Sequence, residues 1–173
     1  RAKAVNFGIV YGIEAYSLSR DIGVTVKEAE AFIQSYLDSF PGVRQYMDDT
    51  IAFGKEHGYV ETMFHRRRYL PELKSDKAVV REFGKRAAMN TPVQGTAADI
   101  IKLAMVRVDE ALRREGLKSR LILQVHDELD FSVPEDEIEA LSAMVRDIME
   151  HAAELRVPLD VDVSFGDNWA EAH

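Results

Sequence analysis

With 173 residues, of which 46% are hydrophobic and 30% charged, the chain can form a well-packed globular domain or part of a larger one. No apolar run approaches the roughly 20 residues of a membrane-spanning helix, and there is no cysteine for a disulfide or a thiolate metal site. We therefore expect a protein of a reducing compartment, the cytoplasm, without a membrane partner.

The net charge of −8 is distributed unevenly. Residues 65–86 carry eight Lys and Arg side chains against three acids, whereas residues 127–173 carry fourteen acids against two arginines. One surface could therefore meet phosphates while another stays acidic. Charge alone leaves open the alternative of two solvated faces without a partner.

The first forty residues predict two helices. Residues 1–13 contain no helix breaker except two glycines. Thr25 and Glu28 have the spacing of a capping box, and an apolar stripe follows them as far as Phe40. Pro41 is expected to end this second helix.

The middle of the chain predicts helices around one short hairpin. A helix is expected over residues 43–56, and residues 59–70 predict two short strands around a basic turn. Helical periodicity returns over residues 76–91, where Pro92 predicts a kink or a break because it lacks an N–H group. A further helix with one apolar face is expected to close at Gly116.

Residues 121–133 predict a hairpin with His126 and Asp127 as its two-residue turn. Its inward side chains are expected to be Leu121, Leu123 and Val125 on one strand and Leu129, Phe131 and Val133 on the other. Pro134 and three acids then start an amphipathic helix, and the alternating residues 157–166 predict a one-sided strand. Helices with a small antiparallel sheet make the fold class α+β.

Lys3, Phe7 and Tyr11 recur every four residues and therefore share one face of the first predicted helix. A cation followed by two aromatic rings suits a phosphate and a stacked base. The alternative is an ordinary core helix in which both rings are buried.

Arg86, Asn90 and Gln94 also step by four, around Pro92. Their donors suit the DNA minor groove, where A·T and T·A pairs both present only acceptors and base-pair geometry can be tested without reading sequence. The alternative is that Asn90 and Gln94 hydrogen-bond the backbone freed by the proline.

His126, Asp127 and Glu128 lie at the predicted hairpin turn. One or two carboxylates are enough to hold Mg²⁺ when waters and substrate phosphates complete its octahedron. The alternative is ordinary turn chemistry, since Asp favours turns.

Five segments together resemble the family A DNA polymerases, in the same order and at compatible spacing. They are KAVNFGIVYG (3–12), RRRYLPEL (66–73), MNTPVQGTAADIIKLAM (89–105), QVHDEL (124–129) and the closing FGDNWAEAH (165–173). The resemblance covers essentially the whole chain. It implies helical fingers over residues 1–75, with a basic hairpin, and a palm with an antiparallel sheet over residues 76–173.

The resemblance also implies roles for nine residues. Lys3 is expected to contact the incoming triphosphate, Phe7 its sugar and base, and Tyr11 the template base. Arg86, Asn90 and Gln94 match residues that contact primer and template, including the minor groove. His126 matches a position near the primer terminus, Asp127 a catalytic metal ligand, and Glu128 a neighbouring acid.

The activity implied is DNA-directed DNA synthesis from dNTPs on primer-template DNA, in replication and repair, by a monomer with two Mg²⁺ ions in the bacterial cytosol. Family members carry a second metal-binding aspartate, in a motif beginning Asp-Tyr-Ser, that this sequence lacks. We therefore expect a truncated C-terminal part of a polymerase that is inactive without the upstream remainder. Asp130 departs from the apolar residue usual in the family.

Two other functions remain open. A His-Asp metal phosphohydrolase would need further His and Asp ligands, normally on helices, and the remaining histidines have no ligand-like spacing. A noncatalytic DNA-binding module would use the same basic segment and the same 86/90/94 series.

Overall fold

The chain divides into two compact units, Arg1–Thr96 and Ala97–His173, of which this computed structural model describes residues 2–172. The division falls inside one long helix, Ala78–Glu115. The fingers and palm boundary expected near residue 75 stays a prediction, because a compact unit is defined by its contacts and not by its role. The mixture of helices with two small antiparallel sheets confirms the α+β class.

Unit 1 is mainly helical, with one small hairpin. Its elements are α1 (Ala2–Val10), α2 (Ala15–Ile22), α3 (Val26–Ser39), α4 (Pro41–His57), β1 (Tyr59–Glu61), β2 (Arg67–Tyr69), a 3₁₀ turn (Pro71–Lys74) and the first part of α5 (Ala78–Glu115). In the part of the chain that the structure describes, no helix combines the length and apolar character needed to cross a bilayer.

Local signals set most of the helix ends in unit 1. The capping box is confirmed, since the backbone N–H of Thr25 donates to Glu28 Oε2 at 2.9 Å and Glu28 N–H donates back to Thr25 Oγ1 at 3.3 Å. Pro41 opens α4 at its first position, as its fixed φ favours. Helix α2 was not predicted, because its eight residues give too short a pattern to recognise.

Two apolar clusters form the core of unit 1. Leu18, Ile22 and Ala29 join α2 to α3, with Val5 of α1 packed against them. Around Val60, the second cluster brings the β1–β2 hairpin and the 3₁₀ turn onto α5; its other members are Leu70, Leu73, Ala87 and Ala88. The first cluster thus packs α1 onto α2 and α3, and the second packs the hairpin onto α5.

Of the kink or break predicted at Pro92, the break is wrong, because α5 continues through the proline to Glu115, and the kink stays a prediction. Proline removes one N–H donor, but nearby groups bond the carbonyls of this stretch. Thr91 Oγ1 donates to the carbonyl of Ala87 at 2.6 Å, and the hydroxyl of Tyr46 donates to that of Met89 at 2.8 Å. The Tyr46–Met89 contact joins residues 43 positions apart, so the local pattern could not show it.

Unit 2 packs one helix against one hairpin and the second part of α5. Its elements are β3 (Arg120–Val125), β4 (Glu128–Ser132), a 3₁₀ turn (Glu135–Glu137), α6 (Ile138–Glu150) and α7 (Trp169–Ala172). Its core comprises Val108 and Leu112 of α5 with Leu141 and Val145 of α6. Gly116, with φ +66°, ends α5 as predicted.

The His126–Asp127 turn is confirmed, but the predicted strand pairing is wrong in part. Leu121 pairs with Phe131, whereas Leu123 pairs with Asp130. The register shifts at Ile122, so Leu123 is 52% exposed instead of facing inward. An extra residue on one strand moves the following side chains to the other face, and sequence alternation does not reveal it.

The strand predicted over residues 157–166 is also wrong, because no strand is assigned there. Side chains do alternate between half-buried and exposed from Leu159 to Val163. A strand requires a hydrogen-bonded neighbour, and the paired strands among residues 2–172 are only β1 with β2 and β3 with β4.

Candidate functional site

Two aromatic rings lie at the C-terminal end of α1, Phe7 within the helix and Tyr11 directly after it. The centroids of Phe7 and Tyr11 lie 6.1 Å apart with the rings tilted by 35°. These side chains are 47% and 36% exposed, so the alternative of two buried core rings is wrong. The side chain of Lys3 lies outside the described part of the structure, and its contact with a triphosphate stays a prediction.

The turn after α1 lies tightly against α5. Gly12 has φ +74°, and a Cβ placed on it would come within 2.3 Å of Met89 Cε, so a larger residue would force a displacement. Glu14 of the same turn accepts a hydrogen bond from Arg86 Nη1 at 3.1 Å. The structure thus brings the end of the aromatic helix next to the first member of the 86/90/94 series.

The other two members of that series differ in burial. Gln94 is exposed, whereas Asn90 is half-buried with an Oδ1 atom that is buried and has no partner among the described residues. Neither side chain hydrogen-bonds the carbonyls around Pro92. These carbonyls accept instead from the hydroxyls of Tyr46, Thr91 and Thr96. The backbone-capping alternative is therefore wrong for residues 2–172, and both amides keep donors for another partner.

Gln94 lines a cavity of about 300 Å³ whose other walls are strongly basic. The remaining lining residues are Thr62, Arg66, Arg67, Arg68, Thr91 and Gly95. Guanidinium groups around a concave surface suit a phosphate-bearing partner. The sequence indicated a basic segment, but it gave no sign that this segment would adjoin Gln94.

Glu61 holds part of this basic hairpin in place. It accepts from Arg67 Nε at 2.7 Å and lies 3.3 Å from His65 Nδ1, while the Arg67 guanidinium stacks over the Tyr59 ring at 4.4 Å. The hydrogen bond from Arg67, followed by that from His65, lowers the pKa of Glu61. The carboxylate is thus ionised at neutral pH and fixes the orientation of Arg67.

In unit 2, the hairpin turn presents its titratable groups to solvent. His126, Asp127 and Glu128 are all exposed, and His126 has φ +52°, an uncommon value for a residue other than glycine. The side chain of Gln124 donates from Nε2 to the carbonyl of His126 at 2.6 Å. A two-residue turn braced in this way restricts where the Asp127 carboxylate can lie.

The predicted role of Asp127 as a magnesium ligand would need oxygens from outside the described residues. Within residues 2–172 no group of three or more His, Asp or Glu side chains is arranged to hold a metal. Mg²⁺ commonly takes one or two carboxylates and fills its remaining positions with waters and substrate phosphates.

Asp130 is half-buried opposite Leu123, and its Oδ2 atom is buried without a hydrogen-bond partner in the described structure. Its carboxylate is therefore not fully solvated, although β4 is an edge strand of a two-stranded sheet.

Comparisons with known proteins agree over the whole chain. The sequence model described as DNA polymerase family A matches residues 1–171. DNA polymerase I of Bacillus subtilis is 56% identical over 172 residues, and the thermostable DNA polymerase I of Thermus filiformis is 52% identical over 171. Each alignment covers 99% of this chain, which spans about 20% of the length of either relative.

A solved structure gives the same result. The POL domain of Pol1 from M. smegmatis, in complex with DNA primer-template and dNTP, superposes with a TM-score of 0.94 at 47% sequence identity. The match covers 98% of this chain and 30% of that one. Since the family model, the relatives and this structure all cover nearly every residue, the chain belongs to DNA polymerase family A.

Proposed function

We propose that, in a protein of its relatives' length, this chain forms part of a DNA-directed DNA polymerase that transfers nucleotides from dNTPs to a primer 3′-hydroxyl during replication and repair. The observation that carries the proposal is the TM-score of 0.94 to a polymerase domain solved with primer-template and dNTP. Family membership over residues 1–171 supports the same reaction class.

Unit 1 would contact the incoming nucleotide and the DNA. The exposed rings of Phe7 and Tyr11 offer stacking surfaces for a base, and Lys3 of the same helix would meet the triphosphate. Arg86, Asn90 and Gln94 would donate to primer and template, with minor-groove acceptors as their partners. The arginines around the cavity beside Gln94 would neutralise phosphates of the backbone.

Unit 2 would hold catalytic metal through Asp127, beside the acid Glu128 and with His126 near the primer terminus. Two Mg²⁺ ions, when bound, would stabilise charge on the attacking and leaving oxygens of the phosphoryl transfer. The Asp127 carboxylate would supply oxygen ligands in a fixed orientation, since the hydrogen bond from Gln124 limits the motion of the turn. We propose that a second carboxylate ligand comes from the part of the relatives that this chain does not span.

The same proposal places the protein in the bacterial cytosol, acting as a monomer on DNA. The absence of cysteine agrees with a reducing compartment.

Asp127→Asn in the longer protein tests the catalytic proposal. The amide keeps the shape of the side chain but removes the charge that would bind Mg²⁺, so we expect kcat for single-nucleotide incorporation to fall by at least about 10²–10³-fold. DNA affinity should change little, because the metal-bound step follows DNA binding. Primer extension and a fluorescence binding isotherm measure the two quantities.

Asp136→Asn is the matched control, since Asp136 is an exposed acid of the same unit outside the hairpin turn. It should keep both incorporation and binding. Near-normal incorporation by Asp127→Asn would contradict the metal-ligand role. Salt-dependent DNA binding without any incorporation by the unsubstituted protein would favour a noncatalytic DNA-binding module instead.

A further inference from the structure

Three hydrogen bonds from outside α5 end on the stretch that carries Asn90 and Gln94. From α4, the hydroxyl of Tyr46 donates to the carbonyl of Met89 at 2.8 Å. From β2, Arg68 Nη1 donates to Thr91 Oγ1 at 3.2 Å. From the loop after β1, the backbone N–H of Met63 donates to Thr96 Oγ1 at 3.0 Å. All of these groups belong to unit 1.

This stretch needs external support because Pro92 lies between the two amide side chains. The proline has no N–H group, and its ring crowds the carbonyl four residues earlier, which weakens the helix locally. Thr91 Oγ1 and Thr96 Oγ1 also donate to the carbonyls of Ala87 and Pro92. Each threonine therefore connects the weakened helix to a donor from another element.

Tyr46 differs from the other two donors because its contact is to the backbone of the residue that precedes Asn90. Its ring is half-buried, and Met89 is almost fully buried. Burial raises the pKa of Tyr46, so its hydroxyl keeps the proton that it donates. Loss of the hydroxyl would leave the Met89 carbonyl without this donor just before the proline, where the helix ladder is already incomplete.

We propose that Tyr46 is a positioning residue for Asn90 and Gln94, and that its hydroxyl contributes to the discrimination between matched and mismatched primer termini. The inference rests on the proposed minor-groove role of those two amides. A displacement of a few tenths of an ångström at Met89 changes where Asn90 points, and hydrogen-bond energy falls steeply with misalignment. Tyr46 itself needs no contact with DNA.

Tyr46→Phe in the longer protein removes only the hydroxyl and keeps the ring. The readout is the ratio of kcat/KM for extending a matched primer terminus to that for extending a mismatched one, and we expect it to fall roughly three- to tenfold. DNA affinity should stay within about twofold of the unsubstituted value, because the phosphate contacts are unaffected. An unchanged ratio would overturn the proposal, even if the thermal stability decreased.

Tyr36→Phe is the matched control. It removes a tyrosine hydroxyl of the same unit that also makes one tertiary hydrogen bond, to Asn6 Oδ1 at 2.7 Å, far in sequence from Pro92. This variant should keep the discrimination ratio. An equal fall in both tyrosine variants would overturn the proposal in favour of a general loss of stability.

Gln94→Ala and Asn90→Ala test the proposed minor-groove role separately from the role of Tyr46. If neither lowers the ratio, the minor-groove role fails whatever Tyr46 does. If they lower the ratio, Tyr46→Phe should lower it by a smaller factor in the Gln94→Ala background than in the unsubstituted protein, because both substitutions act through the same contact. Full additivity would show that Tyr46 acts by another route and would overturn the proposal.

Discussion

Glu137 closes the loop between α5 and β3 with its side chain. Its carboxylate accepts from the N–H groups of Lys118 and Ser119 at 2.9 and 2.8 Å and from Ser119 Oγ at 2.6 Å. The Ser119 hydroxyl, followed by the Lys118 N–H, lowers the pKa of Glu137. The carboxylate is therefore the favoured form in the folded state.

We expect the free energy of unfolding to depend less on pH in the acid range when Glu137 is replaced, as in Glu137→Gln. A folded pKa below the unfolded value stabilises the fold above the unfolded pKa, and this contribution is lost as pH falls through the folded pKa. The variant should have a lower Tm than the unsubstituted protein at pH 7, and the difference should shrink below about pH 4. Thermal unfolding over this range measures it. Glu154→Gln is the control, because Glu154 is exposed and lies beyond the end of α6, and it should change Tm little at any pH.

For individual residues, the sequence predicted which side chains share a helix face, but not which residues far apart in the chain form contacts. The spacing of Phe7 and Tyr11 predicted one shared face, and the structure places their rings 6.1 Å apart on it. The contacts of Arg86 with Glu14 and of Tyr46 with Met89 join residues 72 and 43 positions apart. Such pairs depend on how helices pack, which periodicity within one helix does not specify.

At the scale of elements, α5 and the 3₁₀ turn approach each other through Gly84. A Cβ at this position would lie 3.0 Å from the backbone nitrogen of Leu73 and 3.1 Å from the carbonyl carbon of Glu72. These are backbone atoms, so they cannot move aside as a flexible side chain would. The absence of a side chain at Gly84 lets the two elements pack.

Gly84→Ala should therefore destabilise the fold, although alanine usually favours a helix interior. Overpacking costs about 1–3 kcal/mol, whereas alanine gains roughly 0.5–1 kcal/mol over glycine in a helix, so the net effect is expected to be unfavourable. Gly42→Ala in the first turn of α4 is the control, because its Cβ would meet nothing within 4 Å. Urea unfolding should show a lower midpoint for Gly84→Ala and an unchanged or higher one for Gly42→Ala. Equal midpoints would contradict the close-approach argument.

Element boundaries followed the sequence where a side chain signals them locally. Thr25 with Glu28, Pro41 and Gly116 start or end helices where the pattern predicted. The continuity of α5 through Pro92 and the register shift at Ile122 were not predicted. Neither a bulge nor a helix that continues through a proline has a signal in the local sequence pattern.

At the scale of the whole molecule, charge is segregated along the chain, and the structure places three of the eight basic side chains of residues 65–86 beside Gln94. Arg66, Arg67 and Arg68 share that cavity, whereas the acids dominate residues 127–173. DNA binding by the longer protein should therefore weaken with salt, since each neutralised phosphate releases counterions.

Arg66→Gln in the longer protein should reduce the slope of log affinity against log salt by about one. Arg113→Gln is the control, since Arg113 is exposed, pairs with Asp109 in α5 and lies in unit 2. It should leave the slope unchanged. Equal slopes for Arg66→Gln and the unsubstituted protein would show that this side of the cavity does not meet phosphate.

Motif order made family membership predictable from the sequence, and the comparisons confirm it over residues 1–171. The roles of individual site residues stay predictions, because the phosphates, bases and ions that they would contact lie outside the chain. Asp127 illustrates this, since an exposed carboxylate on a braced turn fits Mg²⁺ without excluding an ordinary turn.

The division of the chain inside α5 also bears on how the protein is made. Each compact unit is one uninterrupted stretch of sequence, so Arg1–Thr96 can complete its contacts while later residues are still being synthesised. Starting a helix is slow and unfavourable, whereas lengthening one is easy. The turns of α5 formed in the first unit would then serve as a nucleus on the ribosome from which the helix grows into the second.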